Sequence, residues 1–210
     1  MGCADVSKPL SLNILGQYVR DGAALLDWVS KAKPDAALVM DSVAVAQGIR
    51  QRSPQTTVIY RAYNPNDAKW HEVITPAEWI NTHRVFADNG MYVYCCNEPS
   101  GYDNVTPLVD WCVSVLKLAH QQGLRLVIGN FGVGHPDEKL IINGAFDPLI
   151  RALSGSPSKL GLHEYWNINP VAEQPYHLGR FKYWLDRCDA MHVERIKIIM
   201  TEHGRDAGAK

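Results

Sequence analysis

The run Met91-Tyr92-Val93-Tyr94-Cys95-Cys96, the stretch from Thr106 to Gln122 and the run Arg125-Leu126-Val127-Ile128-Gly129 together decide the fold. The first and third are short and apolar, rich in the β-branched and aromatic residues that strands favour. Between them Trp111, Val115 and Leu118 recur at helical spacing, and Gly123 stops the helix just before the next strand. A strand, a helix and a second strand in that order are a βα repeat built around a parallel sheet buried on both faces.

Working outward, the same alternation continues in both directions. Five further apolar runs read as strands: Ser11 to Leu15, Ala36 to Met40, Thr57 to Ala62, Leu160 to His163 and Ile196 to Thr201. Helical patterns lie near Ala23 to Lys33, Val43 to Arg52, Pro76 to Asn89, Pro148 to Leu153 and Gly179 to His192. Thr75-Pro76-Ala77-Glu78 offers a capping threonine, a proline at the first helical position and a glutamate three residues after the cap. Helix-to-strand connections such as Pro34-Asp35 and Gly123-Leu124 are terse, whereas Asn64 to Ile74, Phe131 to Asp147 and Tyr165 to Leu178 follow strands and are long. Ligands in α/β folds bind at the carboxyl ends of the strands, so these loops mark the working face.

Seven strands in 210 residues predict a (β/α)8 TIM barrel in a single catalytic domain over residues 1–210. A typical barrel runs to about 250 residues, so the last helix, strand eight and its helix are expected to be missing. An open doubly wound sheet is the alternative, and no Gly-rich phosphate loop follows the first strand to support it.

Composition narrows the partner. Twenty-one Lys and Arg against 22 Asp and Glu give a net charge of -1 without a basic run, which speaks against nucleic acid and anionic membranes. The five cysteines show no C-x-x-C spacing and read as buried thiols, with Cys95 and Cys96 sent to opposite faces of a strand. No signal peptide or membrane-length apolar run is visible, so localisation is cytoplasmic by default, with secretion open if the N-terminus is incomplete. The sequence leaves the oligomeric state open.

Two glutamates stand where strands open onto the working face. Asn97-Glu98-Pro99 follows the fourth run, and Thr201-Glu202-His203-Gly204 closes the seventh. Side chains from nonadjacent strand ends of a barrel converge on one cleft. Cleavage of a glycosidic bond needs two carboxyl groups there, one to donate a proton and one to attack carbon or activate water. The plain alternative is a glutamate near a helix start and another in a surface turn.

Asn-Glu-Pro after strand four and Thr-Glu-x-Gly after strand seven resemble the signature of the clan A retaining glycoside hydrolases, over nearly the whole chain. The resemblance implies a glycosidase acting on β-linked oligo- or polysaccharide, without cofactor or metal. Glu98 would be the acid/base, Glu202 the nucleophile and Asn97 a ligand of the sugar 2-hydroxyl. It also implies a tyrosine after strand six against the nucleophile; within Leu162-His163-Glu164-Tyr165-Trp166, Tyr165 is the first candidate and His163 its rival. Two departures stand out: strand two ends in Asp41 where many members of the clan carry arginine, and the strand-eight region that often supplies a tryptophan is absent.

Further candidates come from position alone. Trp166 and Trp70 have aromatic faces suited to a pyranose ring, or to the core. Trp28, Trp79, Trp111 and Trp184 sit in helical patterns and read as packing residues. Arg61 can orient a carboxylate or form a structural ion pair. Asp41 and Asn130 are candidates for sugar hydroxyls, with Asp41 also a candidate helix cap. Two other functions compete: metal-dependent hydrolysis using His163, Glu164, His203, Asp41 and the glutamates, although no H-x-H or H-E-x-x-H spacing occurs, and a noncatalytic carbohydrate-binding barrel.

Overall fold

The computed structural model describes residues 11–16, 19–166 and 178–205. The chain divides after Tyr63 into two compact units. The first contains β1 (Ser11–Leu15), α1 (Gly22–Ala32), β2 (Ala36–Met40), α2 (Val43–Arg52) and β3 (Thr57–Arg61). Its strands pair in parallel in chain order, Ser11 level with Ala36 and Ala36 level with Thr57. Asp21 caps α1 by accepting the Ala24 N–H at 2.9 Å, and Ser42 caps α2. Gly48 lets the two helices close up, because a Cβ there would stand 2.8 Å from a Leu26 methyl. Val29, Leu38, Val39, Ile49, Val58 and Ile59 are buried, whereas Trp28, expected to pack, is 43% exposed.

The second unit opens with a 3-10 turn (Asp67–Lys69), α3 (Trp70–Val73), α4 (Pro76–His83) and another 3-10 segment (Arg84–Asn89). It continues through β4 (Tyr92–Cys95), α5 (Thr106–Gln121), β5 (Arg125–Phe131), α6 (Glu138–Ile142) and α7 (Asp147–Leu153). It ends with β6 (Lys159–Trp166), α8 (Phe181–Ala190) and β7 (Ile198–Arg205). The four strands are again parallel and in chain order. A doubly wound sheet requires the order to reverse, and neither unit reverses it. Among the described residues, seven parallel strands alternate with helices in chain order, the pattern of a TIM (β/α)8 barrel.

Local chemistry explains most element ends. The capping box at Thr75 is complete: its hydroxyl accepts the Glu78 N–H at 3.3 Å and the Glu78 carboxylate accepts the Thr75 N–H at 2.9 Å. The helix expected from Pro76 to Asn89 tightens to 3-10 geometry after His83. Two short helices, α3 and α6, occupy loops where four or five residues are too few for a periodicity to show. Strand β6 extends beyond His163 to Trp166, and β7 starts and ends later than its apolar run suggested. Both differences put candidate residues inside strands rather than after them.

The second unit has one dense core, in which Phe131 stacks on Trp184 at 5.5 Å and Phe146 meets both edge-on. Trp79, Trp111 and Trp184 are buried, as their helical positions suggested. Cys95, Cys96, Cys112 and Cys188 are free and buried. No helix among the described residues is long and apolar enough to cross a membrane.

Candidate active site

The site begins with an unusual turn at the end of β4. Cys96 has φ 64° and Glu98 φ 45°, left-handed values that cost a residue with a side chain about 1–2 kcal/mol each. Asn130, itself at φ 41° at the end of β5, holds the turn in place. Its Nδ2 donates to the carbonyls of Cys95 at 3.0 Å, Cys96 at 2.9 Å and Val127 at 3.1 Å, and its own carbonyl accepts the Glu98 N–H at 3.0 Å. Three carbonyls around one atom identify it as the amide nitrogen. Asn130 is fully buried. Its expected role toward sugar hydroxyls is therefore corrected: the side chain has no exposed surface, and its amide nitrogen is committed to the backbone that aims Glu98. Two glycines make room, since a Cβ on Gly161 would collide with Asn130 Oδ1 and one on Gly132 would stand 3.1 Å from Glu98 Oε1.

Glu202 is placed by a register shift. Leu162 pairs with Met200 but His163 pairs with Glu202, so Thr201 is an extra residue in β7, and its hydroxyl donates to the Leu162 carbonyl at 3.3 Å. Bulges of this kind re-aim a side chain beside a working site. Here the shift brings Glu202 level with His163.

The two carboxyl groups flank one imidazole. His163 Nδ1 lies 3.1 Å from Glu98 Oε1, and His163 Nε2 lies 3.7 Å from Glu202 Oε1. With the ring between them, those two contacts cap the separation of the oxygens at about 9 Å, a bound that admits both the roughly 5–5.5 Å of retaining and the roughly 6.5–9.5 Å of inverting carboxyl pairs. The ring is 0% exposed whereas the Glu98 and Glu202 side chains are 54% and 24% exposed, so both acids reach solvent over a buried base. The Tyr165 hydroxyl donates to Glu202 Oε2 at 2.8 Å. The Tyr94 hydroxyl donates to Asn97 Oδ1 at 2.8 Å and lies 3.0 Å from His163 Nε2. Strand alternation in β6 accounts for the pair: His163 and Tyr165 face one side and Glu164 the other.

Glu98, Glu202, Asn97, His163 and Tyr165 therefore come together. Glu164 does not, because it is buried on the opposite face and accepts the Arg180 N–H at 3.0 Å. Trp70 is corrected from a stacking candidate to a core residue, buried and edge-on to Trp79 at 5.7 Å. Trp166 ends β6, and its side chain lies outside the described residues. In the first unit Arg61 is buried at the end of β3. Asp41 has φ 57° and its Oδ1 accepts the Tyr63 N–H at 2.7 Å; the cap of α2 is Ser42, not Asp41. Among the described residues no group of three or more His, Cys, Asp or Glu is placed to hold a metal ion.

Two tyrosines went unread in the sequence. Tyr94 sits in an apolar strand, where an aromatic residue is ordinary. Tyr102 stacks on His135 with ring centroids 4.5 Å apart, and burial, followed by the Glu98 charge, pushes its phenol up from the usual value.

No family of sequences matches the chain, and no curated protein matches it. Among solved structures, it is similar to a 3-dehydroquinate dehydratase from Geobacillus kaustophilus HTA426, with 12% identity over 93% of this chain and 74% of that one and a TM-score of 0.49. It is also similar to a glycoside hydrolase family 30 subfamily 8 xylanase from Clostridium acetobutylicum, with 11% identity over 94% of this chain and 63% of that one and a TM-score of 0.45. Likenesses of this degree assign no activity.

Proposed function

We propose that the protein is a glycoside hydrolase that cleaves β-linked oligo- or polysaccharide by a retaining double displacement, with Glu98 as acid/base and Glu202 as nucleophile. The observation that carries this reading is the pair of solvent-reaching carboxyls on either side of buried His163, one of them bonded by the Tyr165 hydroxyl. A carboxylate that accepts a phenolic hydrogen bond is stabilised as the anion and held for attack. In this scheme a Glu202 carboxylate oxygen attacks the anomeric carbon while Glu98 delivers its proton to the departing oxygen. In the second half-reaction Glu98 takes a proton from water, which attacks the same carbon and frees Glu202. Asn97, beside Glu98, is the ligand of the 2-hydroxyl in this scheme. No cofactor enters it.

Leaving-group dependence tests the acid. Glu98→Gln should slow hydrolysis of glycosides with poor leaving groups by about 10²-fold to 10⁴-fold, the range for a positioned proton donor. Aryl glycosides with activated leaving groups should suffer far less. Equal losses on both classes would remove Glu98 from the acid role, and binding without turnover in the native protein would favour a noncatalytic carbohydrate-binding barrel.

A further inference from the structure

The hydrogen bonds around His163 form one chain, Asn97 to Tyr94 to His163 to Glu98, and its proton count is constrained. A tyrosine hydroxyl has one hydrogen. Tyr94 gives that hydrogen to Asn97 Oδ1 at 2.8 Å, so toward His163 Nε2, 3.0 Å away, it acts as acceptor and Nε2 carries the proton. A neutral ring is then bare at Nδ1, the atom facing Glu98 Oε1 at 3.1 Å. A hydrogen bond forms there when Glu98 is a protonated carboxyl. Glu202 Oε1 lies 3.7 Å from Nε2, too far for a hydrogen bond from an N–H already given to Tyr94; the bond that favours the Glu202 anion comes from the Tyr165 hydroxyl at 2.8 Å.

We infer that Tyr94 is a positioning residue that fixes His163 as the neutral Nε2–H tautomer, so that the bare Nδ1 assigns the proton to Glu98 while the Tyr165 hydroxyl holds the negative charge on Glu202. Two glutamates of the same chemistry acquire opposite protonation because one faces a bare ring nitrogen and the other a hydroxyl donor. Such differentiation is what an acid and a nucleophile in one site require. The purpose rests on the proposed glycosidase function; the tautomer does not.

The cycle is consistent with the arrangement. When Glu98 gives its proton to the leaving oxygen, its carboxylate is left opposite a lone pair on Nδ1, an unfavourable contact in a ring with no access to water. Taking a proton from the incoming water restores the bond, so the ring favours return of Glu98 to the acid form. Among the described residues, the groups facing this network include Tyr94 from β4, Glu98 from the turn after it, Glu202 from β7 with Tyr165 bonded to it, and Tyr102, whose phenol feels the Glu98 charge.

The test is a long-range proton–nitrogen NMR spectrum of the full chain labelled with ¹⁵N-histidine at pH 7.5, the His163 signals being identified by their loss in His163→Gln. The expected result is a protonated Nε2 and an unprotonated Nδ1. A protonated Nδ1, alone or together with Nε2, overturns the inference. In Tyr94→Phe the tautomer should shift toward Nδ1–H. The alkaline limb of kcat/KM on a poor leaving group should fall by ~1 pH unit and the maximum about fivefold to tenfold, the worth of one hydrogen bond. An activated leaving group should show little of either effect. An unchanged tautomer and limb in Tyr94→Phe would also overturn the inference. Should that variant not fold, the native spectrum still decides, and it decides whether or not the protein hydrolyses any glycoside.

Discussion

Replacing Asn130 by alanine separates a clamp from a sugar ligand. The two Nδ2 hydrogens serve three buried carbonyls, so the substitution removes two full hydrogen bonds' worth of donation, about 1 kcal/mol each. Alanine at φ 41° adds about 1 kcal/mol of backbone strain that asparagine tolerates better. Asn130 Oδ1 has no hydrogen-bond partner among the described residues, so no bond is subtracted on that side. The sum is about 3 kcal/mol, which for a chain of this size lowers Tm by about 6 to 12 °C. Urea unfolding and a thermal melt measure the loss directly. Since Asn130 also fixes Cys96 and the Glu98 turn, kcat should fall more than KM rises in whatever fraction remains folded. A variant within 1 kcal/mol of the native stability, with KM raised and kcat kept, would refute the clamp and restore Asn130 as a substrate ligand.

Three other outcomes are expected. Tyr165→Phe removes the 2.8 Å bond to Glu202 Oε2; a hydrogen bond to a charged group is worth about 1.5 to 3 kcal/mol, so kcat should drop about 10- to 100-fold in steady-state assays with little change in Tm. Gly132→Ala places a methyl 3.1 Å from Glu98 Oε1, and because that side chain is exposed enough to move, turnover should suffer while the urea midpoint holds. Burial lowers the pKa of His83 below its ordinary value near 6.5, so the unfolded chain takes up a proton before the folded one does; stability is full above about 6.5 and declines as pH falls below it, and urea midpoints at pH 7.5 and 5.5 should differ less in His83→Gln.

Most strand starts were legible in the sequence to within a residue because apolar β-branched runs followed by helical periods leave few alternatives, as in β2, whose observed span coincides with its run. Strand β6 was read too short because His163, Glu164 and Tyr165 interrupt the apolar pattern while the backbone pairing continues. The extra residue in β7 was invisible, since Thr201 is an ordinary strand residue and only the register reveals it. Glu98 and Glu202 stood out because a short polar motif follows an apolar run at each strand end. Tyr94 did not stand out, because its hydroxyl works through partners 3 and 69 positions away. Asn130 could be placed at a strand end, but a side chain that reaches back to carbonyls 34 and 35 positions earlier has no sequence signature. Trp70 illustrates the opposite error: a tryptophan in a loop looked available for stacking until a four-residue helix turned it into the core.

The most direct test of the account is to treat the protein with a 2-deoxy-2-fluoro-β-glycoside bearing an activated leaving group, then digest it and locate the adduct by mass spectrometry. Retaining chemistry predicts one sugar per chain, attached through an ester to Glu202, with activity returning as the adduct hydrolyses. Hydrolysis of the parent glycoside with inversion at the anomeric carbon, or an adduct on any other residue, would contradict it.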